Sequence, residues 1–318
     1  MSRTEGRLVH GEGSGYQVGH TPKIPGVELA AEDYRRLARL AKGGEVKVEL
    51  ENRVHYEDQD HNAYNVVAEL PGTDPAAGYV MAGAHLDSWV AGDGAADNGA
   101  GSVVILESAR ILAKTGIKPK RTIRFVLWAG EEQGLLGSAA YVEKHLATRP
   151  VITDPALKDV PFYYQQDNYP VHTLPGFDEL AGYFNIDNGS GKIRGIYTEG
   201  NLEVVSTLHE WLAPFASLGV SSVVAEPTGG TDHVFMAALG LPAFQFIQDP
   251  LDYESRVHHT DLDTYDHLRI DDMKQAAVVI ASVLYDAANA DKPLPHKPVP
   301  TAPATTDPYS YPRPEPVR

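Results

Sequence analysis

The stretch that decides the fold is YVMAGAHLDSWVAGDGAADNGAG, residues 79–101. Its first six residues form a nearly continuous apolar run, as a strand buried on both faces requires. The run passes straight into His85, Asp87, Asp93 and Asp97, set among glycines and alanines. A buried strand that ends in ionisable groups belongs to an open α/β sheet, where ligands collect at the carboxyl ends of the strands. Gly94, Ala95 and Ala96 carry little bulk and would let the backbone bring Asp97 close to the groups that follow the strand. Gly99 and Gly101 would let the next helix start tight against the same place. Asp93 is expected to face water.

Working outward, residues 101–114 (GSVVILESARILAK) have helical spacing, and TIRFVLW (122–128) is the next strand, ending abruptly in AGEEQG. SAAYVEKHL (138–146) reads as a helix, and residues 147–180, rich in Pro and Tyr, as a long loop or insertion. GYFNID (182–187) is a strand that ends in an acid. NLEVVSTLHEWLAPFASLG (201–219) is a helix, SVVA (222–225) a short strand and DHVFMAALG (232–240) a short helix. AFQFI (243–247) is a strand, and residues 270–289 form a last amphipathic helix. Upstream, ELAAEDYRRLARLA (28–41) is helical, stopped by Gly43 and Gly44, and VKVEL (46–50) and NVVAEL (65–70) alternate as strands do. The first 26 residues read as loop. Alternating strands and helices predict a three-layer α/β/α domain with a mixed, largely parallel central sheet. The predicted divisions are an N-terminal lead over 1–45, a catalytic domain over 46–290, and a Pro-rich tail over 291–318 that is disordered or lies on the surface.

Composition sets the outer limits. The chain has 318 residues, 42% hydrophobic and 22% charged, which are globular values. A formal net charge of −16 argues against a nucleic-acid surface, which needs clustered Lys and Arg. There is no cysteine, so disulfides, thiolate catalysis and cysteine metal sites are excluded, and a metal would have to use His, Asp and Glu. No window is apolar enough to span a membrane, and MSRTEGRLVHGEGSGYQ lacks the apolar core of a signal peptide, so none is expected in the chain as given.

Four of the predicted strands lead to donors. The first gives His85 and Asp87, and the glycine-rich loop after it gives Asp97. TIRFVLWAG gives Glu131 and Glu132, GYFNI gives Asp187, and His258 and His259 follow AFQFI. These are nitrogen and oxygen donors suited to Zn²⁺ or a similar divalent ion. Alone, a histidine at a strand end is usually structural, a Glu-Glu pair a solvated corner and an Asp-Asn-Gly run a turn. Their joint appearance at successive strand ends is what points to a metal site. His85 would bind metal with Asp87 holding or orienting the site. Of the adjacent Glu131 and Glu132, one can bind metal while the other reaches the water that the metal activates.

The runs GAHLDSW and GDGAADNGAG, then KPKRTIRFVLWAGEEQGLLGS, FNIDNGSG, GGTDH and HHTDLDT, occur in that order. Over roughly residues 65–290 the chain resembles the co-catalytic di-zinc exopeptidases, the family of bacterial aminopeptidases and glutamate carboxypeptidase. The resemblance implies two Zn²⁺ ions bridged by Asp97. His85 and Asp187 would complete one ion, and Glu132 with His259 the other. It implies Glu131 as general base and Asp87 as the partner of His85. It also implies a short peptide as substrate, with neither nucleic acid nor membrane as partner. A homodimer is compatible with it, as is a secreted or periplasmic location.

Two departures stand out. Many relatives carry Tyr just before the last histidine, where this chain has His258. We expect His258 to donate a hydrogen bond to the tetrahedral oxyanion; the alternative is a spare neighbour of a ligand. In some relatives a protease-associated domain precedes the HLDSW motif, and residues 21–51 resemble only the end of such an insert. The alternative is a natural short form with a different lead. Two other functions remain on the same fold: a glutaminyl cyclase-like acyltransferase with one zinc, and a receptor-type domain without catalysis.

Overall fold

In the computed structural model, residue 24 and residues 26–27, 29–53, 55, 59–90, 92–153 and 168–302 are described. The expectations for residues 1–23, for 154–167 and for 303–318 lie outside these residues. The stretch Tyr79–His85 is a strand (β2), and all seven of its residues are buried. Its side chains alternate between two cores. Val80, Ala82 and Ala84 join one, and Tyr79 and Met81 the other. The strand lies mid-sheet, with helices on both faces, and the period of two splits its apolar run between the layers.

Seven strands form the sheet, in the order β1-β3-β2-β6-β9-β7-β8. They are β1 (Val66–Leu70), β2, β3 (Thr122–Trp128), β6 (Leu180–Asn185), β7 (Ile193–Tyr197), β8 (Ser222–Val224) and β9 (Ala243–Gln248). β3, β2, β6 and β9 run parallel; β1 is antiparallel to β3, and β7 to β9. The sheet is mixed and mostly parallel, with helices on both sides, as the sequence predicts. Two two-residue strands, β4 (Ala147–Thr148) and β5 (His172–Thr173), pair separately inside the segment expected to be loop.

One layer holds α2 (Ala100–Thr115), α5 (Val205–Leu212) and α7 (Ile270–Asn289), packed on Ile123, Phe184, Phe244 and Phe246. The other holds α3 (Leu136–His145) and α6 (Val234–Ala238), packed on Val126, Trp128 and Tyr183. Gly83 leaves room between them: an added Cβ would stand 2.7 Å from the Tyr183 hydroxyl and 2.8 Å from Trp128 Nε1, which hydrogen-bond each other at 2.7 Å. A four-residue helix, α4 (Gly176–Glu179), leads into β6.

Three local expectations change. Val46–Leu50 alternates as a strand does but forms none: among the described residues no strand pairs with it, and a strand needs a partner for its backbone groups. The predicted helix over 201–219 is α5 followed by a 3-10 segment, Ala213–Leu218, beginning where Pro214 brings no N–H to an α-helical ladder. Ile193–Tyr197 is an unpredicted strand, broken in pattern by Gly195. A Cβ on Gly195 would meet the Ser222 carbonyl oxygen of β8 at 1.9 Å, so the interruption is what lets β7 and β8 pair.

The helix α1 (Ala31–Lys42) forms as expected, with only Ala31 buried. At the far end, residues 291–302 lie on the body: Leu294 is buried and donates to the Ala181 carbonyl, and the Lys297 N–H donates to that of Gly240. Among the described residues, no helix is long and apolar enough to cross a membrane.

Candidate metal centre

Register builds the first half of the site. Gly83 of β2 lies opposite Asn185 of β6. Two residues further along each chain, His85 and Asp187 therefore emerge side by side, with His85 Nε2 3.1 Å from Asp187 Oδ1. His85 Nε2 is also 3.1 Å from Asp97 Oδ1. All three side chains are buried.

Asp97 arrives on the turn between β2 and α2. Gly94 opens that turn in the left-handed region at φ 62°, and Asp97 and Asn98 break helical geometry before α2 starts. Asn98 fastens the turn to the sheet: its amide donates to the Ile186 carbonyl, and its oxygen accepts from the Gly101 N–H. A Cβ on Gly101 would come within 2.2 Å of that oxygen, so the expected close start of the helix is real. Asp93 is exposed.

The second half comes from two loops. After β3, Asn65 accepts from the Ala129 N–H and donates to the Gly137 carbonyl, and Gly130 turns at φ 68°. Glu131 and Glu132 sit on this turn. Beyond β9, His259 takes a left-handed backbone at φ 60°. Its Nε2 is 3.1 Å from Glu132 Oε2 and 3.4 Å from Asp97 Oδ2. Asp97 thus turns one oxygen toward His85 and the other toward His259. His258 stacks on His259 with ring centres 3.8 Å apart, and its Nε2 is 3.7 Å from Asp97 Oδ2.

Asp87 does more than the sequence suggests. His85 Nδ1 lies 2.9 Å from the Asp87 backbone oxygen and 3.8 Å from its carboxylate. The carboxylate instead accepts from the N–H groups of Glu131 and Glu132, at 3.1 and 3.2 Å. One residue therefore holds both the histidine and the two glutamates. Two further acids, to which the sequence assigns no role, stand beside the site. Asp232, wholly buried at the start of α6, acts electrostatically on Glu131. Asp263 hydrogen-bonds the backbone of Ala96 and Asp97. Their motifs, GGTDH and HHTDLDT, hold them, but Asp263 is spent on backbone N–H groups, which leaves no spacing to read, and Asp232 reaches Glu131 through its charge.

So many buried acids perturb one another. Burial, then the charge of Asp97, pushes the Glu132 carboxyl up to about 9. Burial pushes Asp232 up to about 7 against the pull of His85. Glu131 is driven well above the usual carboxylate range by burial and then by Asp187. Burial alone would lower His85, but Asp187 and Asp97 outweigh it and hold the imidazole well above its ordinary value. Burial would raise Asp97, yet His85, His258 and His259 keep it below. Burial holds His258 down, Asp97 notwithstanding.

A divalent ion would relieve this crowding. Two donor groups lie close enough to hold one: His85 with Asp97 and Asp187, and Asp97 with His258 and His259. Glu132 Oε1 is buried with no hydrogen-bond partner, a cost that a cation would remove. Every donor is a nitrogen or a carboxylate oxygen, which fits zinc.

Comparison with known proteins supplies the rest. The description "Peptidase family M28" matches residues 65–284, the interval that carries every donor above. The chain belongs to peptidase family M28. Carboxypeptidase Q of Bos taurus is 30% identical over 282 residues, covering 88% of this chain and 53% of that protein. The chain spans about half the length of the curated relatives it matches. The crystal structure of an M28 peptidase precursor from Shewanella amazonensis superposes with a TM-score of 0.59 at 32% identity, over 75% of this chain and 47% of the other. An aminopeptidase from Aneurinibacillus sp. strain AM-1 gives 0.52 at 25% identity, over 74% and 50%.

Proposed function

We propose that this M28 chain is the catalytic part of a metal-dependent exopeptidase that binds two zinc ions and cuts the terminal peptide bond of short peptides or dipeptides. The observation that carries the reading is the division of Asp97, one oxygen toward His85 and the other toward His259. His85 and Asp187 would hold one ion, Glu132 and His259 the other, and Asp97 both. When bound, the ions would polarise the scissile carbonyl and make a water nucleophilic near neutral pH. Glu131 would take a proton from the attacking water as its oxygen bonds to the carbonyl carbon. It would return that proton to the amine nitrogen as the C–N bond breaks. Asp87 keeps Glu131 in place through its backbone N–H. His258 would donate to the oxyanion.

The wall of carboxylates favours a substrate with a free α-ammonium group over one presenting a carboxylate there. That agrees with the aminopeptidase among the structural neighbours; carboxypeptidase Q, by its name, is the competing precedent. Rates on dipeptides, aminoacyl amides and N-blocked peptides, before and after chelation, test the reading. Hydrolysis that needs a free amine, stops on chelation and returns with zinc is expected. Hydrolysis that survives chelation would refute the metal mechanism, and indifference to N-blocking would reverse the terminus preference. One zinc per chain with pyroglutamate formation would replace the peptidase with an acyltransferase.

A further inference from the structure

We propose that Asp263 is a positioning residue that fixes the carboxylate of Asp97 between the two metal positions, by clamping the backbone of the loop that carries it. The inference rests on the two-metal reading above and adds a residue to which that reading gives no part.

Asp263 is 4% exposed, and both its oxygens are spent on one task. Oδ1 accepts from the Ala96 N–H at 2.6 Å and Oδ2 from the Asp97 N–H at 2.9 Å. Hydrogen bonds from N–H groups to an ionised carboxylate are about twice as strong as neutral ones. They act where the backbone leaves helical geometry, at Asp97 itself (φ −122°, ψ 90°). The backbone of Asp263 closes a third bond, its carbonyl accepting from the Asp93 N–H at 2.8 Å. Gly92 permits the approach, since a Cβ there would stand 2.9 Å from the Asp263 carbonyl oxygen and 3.0 Å from that of Thr260. Residues 92–97 and 260–263 are thereby fastened along their length.

Asp263 also belongs to the histidine loop. It lies on the segment of His258 and His259, tied to them through its own N–H to the Thr260 carbonyl at 3.2 Å and the Thr260 hydroxyl beside the carbonyls of Arg256 and Val257. Asp97 is the residue that faces both halves of the centre. A group that grips its backbone from the histidine loop sets the distance between that loop and the bridging carboxylate. Nothing else among the described residues accepts from the Ala96 and Asp97 N–H groups.

The test is zinc titration of the full chain by competition with a chromogenic chelator, on wild type and Asp263→Asn, with thermal melts of both metal-free forms. The amide retains one acceptor and turns an NH₂ group toward a backbone N–H. We expect the second zinc equivalent to weaken by about 10- to 100-fold, the range for loss of a group that orients ligands, while the metal-free form still melts cooperatively. Asp263→Glu, which keeps both acceptors on a longer arm, should recover part of the loss. Affinities within about twofold of wild type overturn the proposal, including where the metal-free melting temperature falls, because the residue would then be structural only. If Asp263→Asn does not fold, Asp263→Ser, which offers at most one acceptor, decides, and affinities within about twofold of wild type overturn the proposal. If wild type itself takes one equivalent, the two-metal reading fails separately, and the proposal stands or falls on the affinity of that single ion.

Discussion

The two halves of the proposed metal centre are built by different means. His85 and Asp187 ride on the ends of neighbouring parallel strands, where register sets their separation and helices cover both faces. His258 and His259 ride on a loop beyond β9, with His259 in a left-handed backbone that few non-glycine residues adopt. The difference teaches that a sheet positions ligands through pairing it needs anyway, whereas a loop needs dedicated fastenings. The carboxylates of Asp87 and Asp263, both directed at backbone N–H groups, are those fastenings.

The largest effect is expected on the turn after β3. Glu131→Gln should lower kcat by about 10²- to 10⁴-fold, as loss of a general base does, while zinc content stays at the wild-type level. Hydrolysis at the wild-type rate in that variant would remove Glu131 from the mechanism. If zinc content fell as well, Glu131 would be a ligand and the division of labour between the two glutamates would be wrong.

The halves should also separate in their grip on metal. Increasing chelator should remove the loop-borne ion first, at a concentration about tenfold below that needed for the strand-borne one. Simultaneous loss would mean that the loop is as rigid as the sheet. His259→Ala should abolish the first step alone, and Asp187→Ala the second.

A smaller and more general effect is in pH. His85, Glu131, Glu132 and Asp232 all hold their protons to higher pH in the folded metal-free chain than their ordinary values allow. For Glu132 the window runs from about 4.5, where the unfolded chain releases the proton, to about 9. Within it the folded state binds more protons than the unfolded state, so stability should fall as pH rises. Asp97 and His258 have the opposite sign: the Asp97 contribution is lost only as pH falls below its ordinary range, and the His258 contribution makes stability rise with pH only up to its ordinary value of 6.5. Melting temperatures of metal-free protein should therefore decline from about pH 7, above the His258 range, toward pH 9. Zinc binds the deprotonated ligands, so it should flatten that slope or reverse it. A flat metal-free profile would show that the acids are not crowded as the structure has them.

Much of this was legible before any coordinates. The apolar run 79–84 announces a strand buried on both faces, and every donor except His258 and His259, which follow AFQFI past the loop 248–257, follows such a strand or a glycine-rich turn. What could not be read was pairing. Val46–Leu50 carries a strand's alternation without a neighbour to bond, and Gly195 hid β7 because the close approach of β8 is visible only in three dimensions. The two fastenings escaped for the same reason. Asp87 was expected to support His85 with its carboxylate, and it contacts the ring with its backbone oxygen while the carboxylate holds the glutamates. Spacing along a chain identifies residue types fit for a metal, but not which atom of a residue faces which loop.

The central claim is that Asp97 joins two ions, and anomalous diffraction at the zinc edge from crystals of the zinc-saturated chain tests it most directly. The account predicts two peaks about 3.5–4 Å apart, one beside His85 and Asp187, the other beside Glu132 and His259, with an Asp97 oxygen on each. A single peak, or two peaks of which one lacks Asp97, would contradict it.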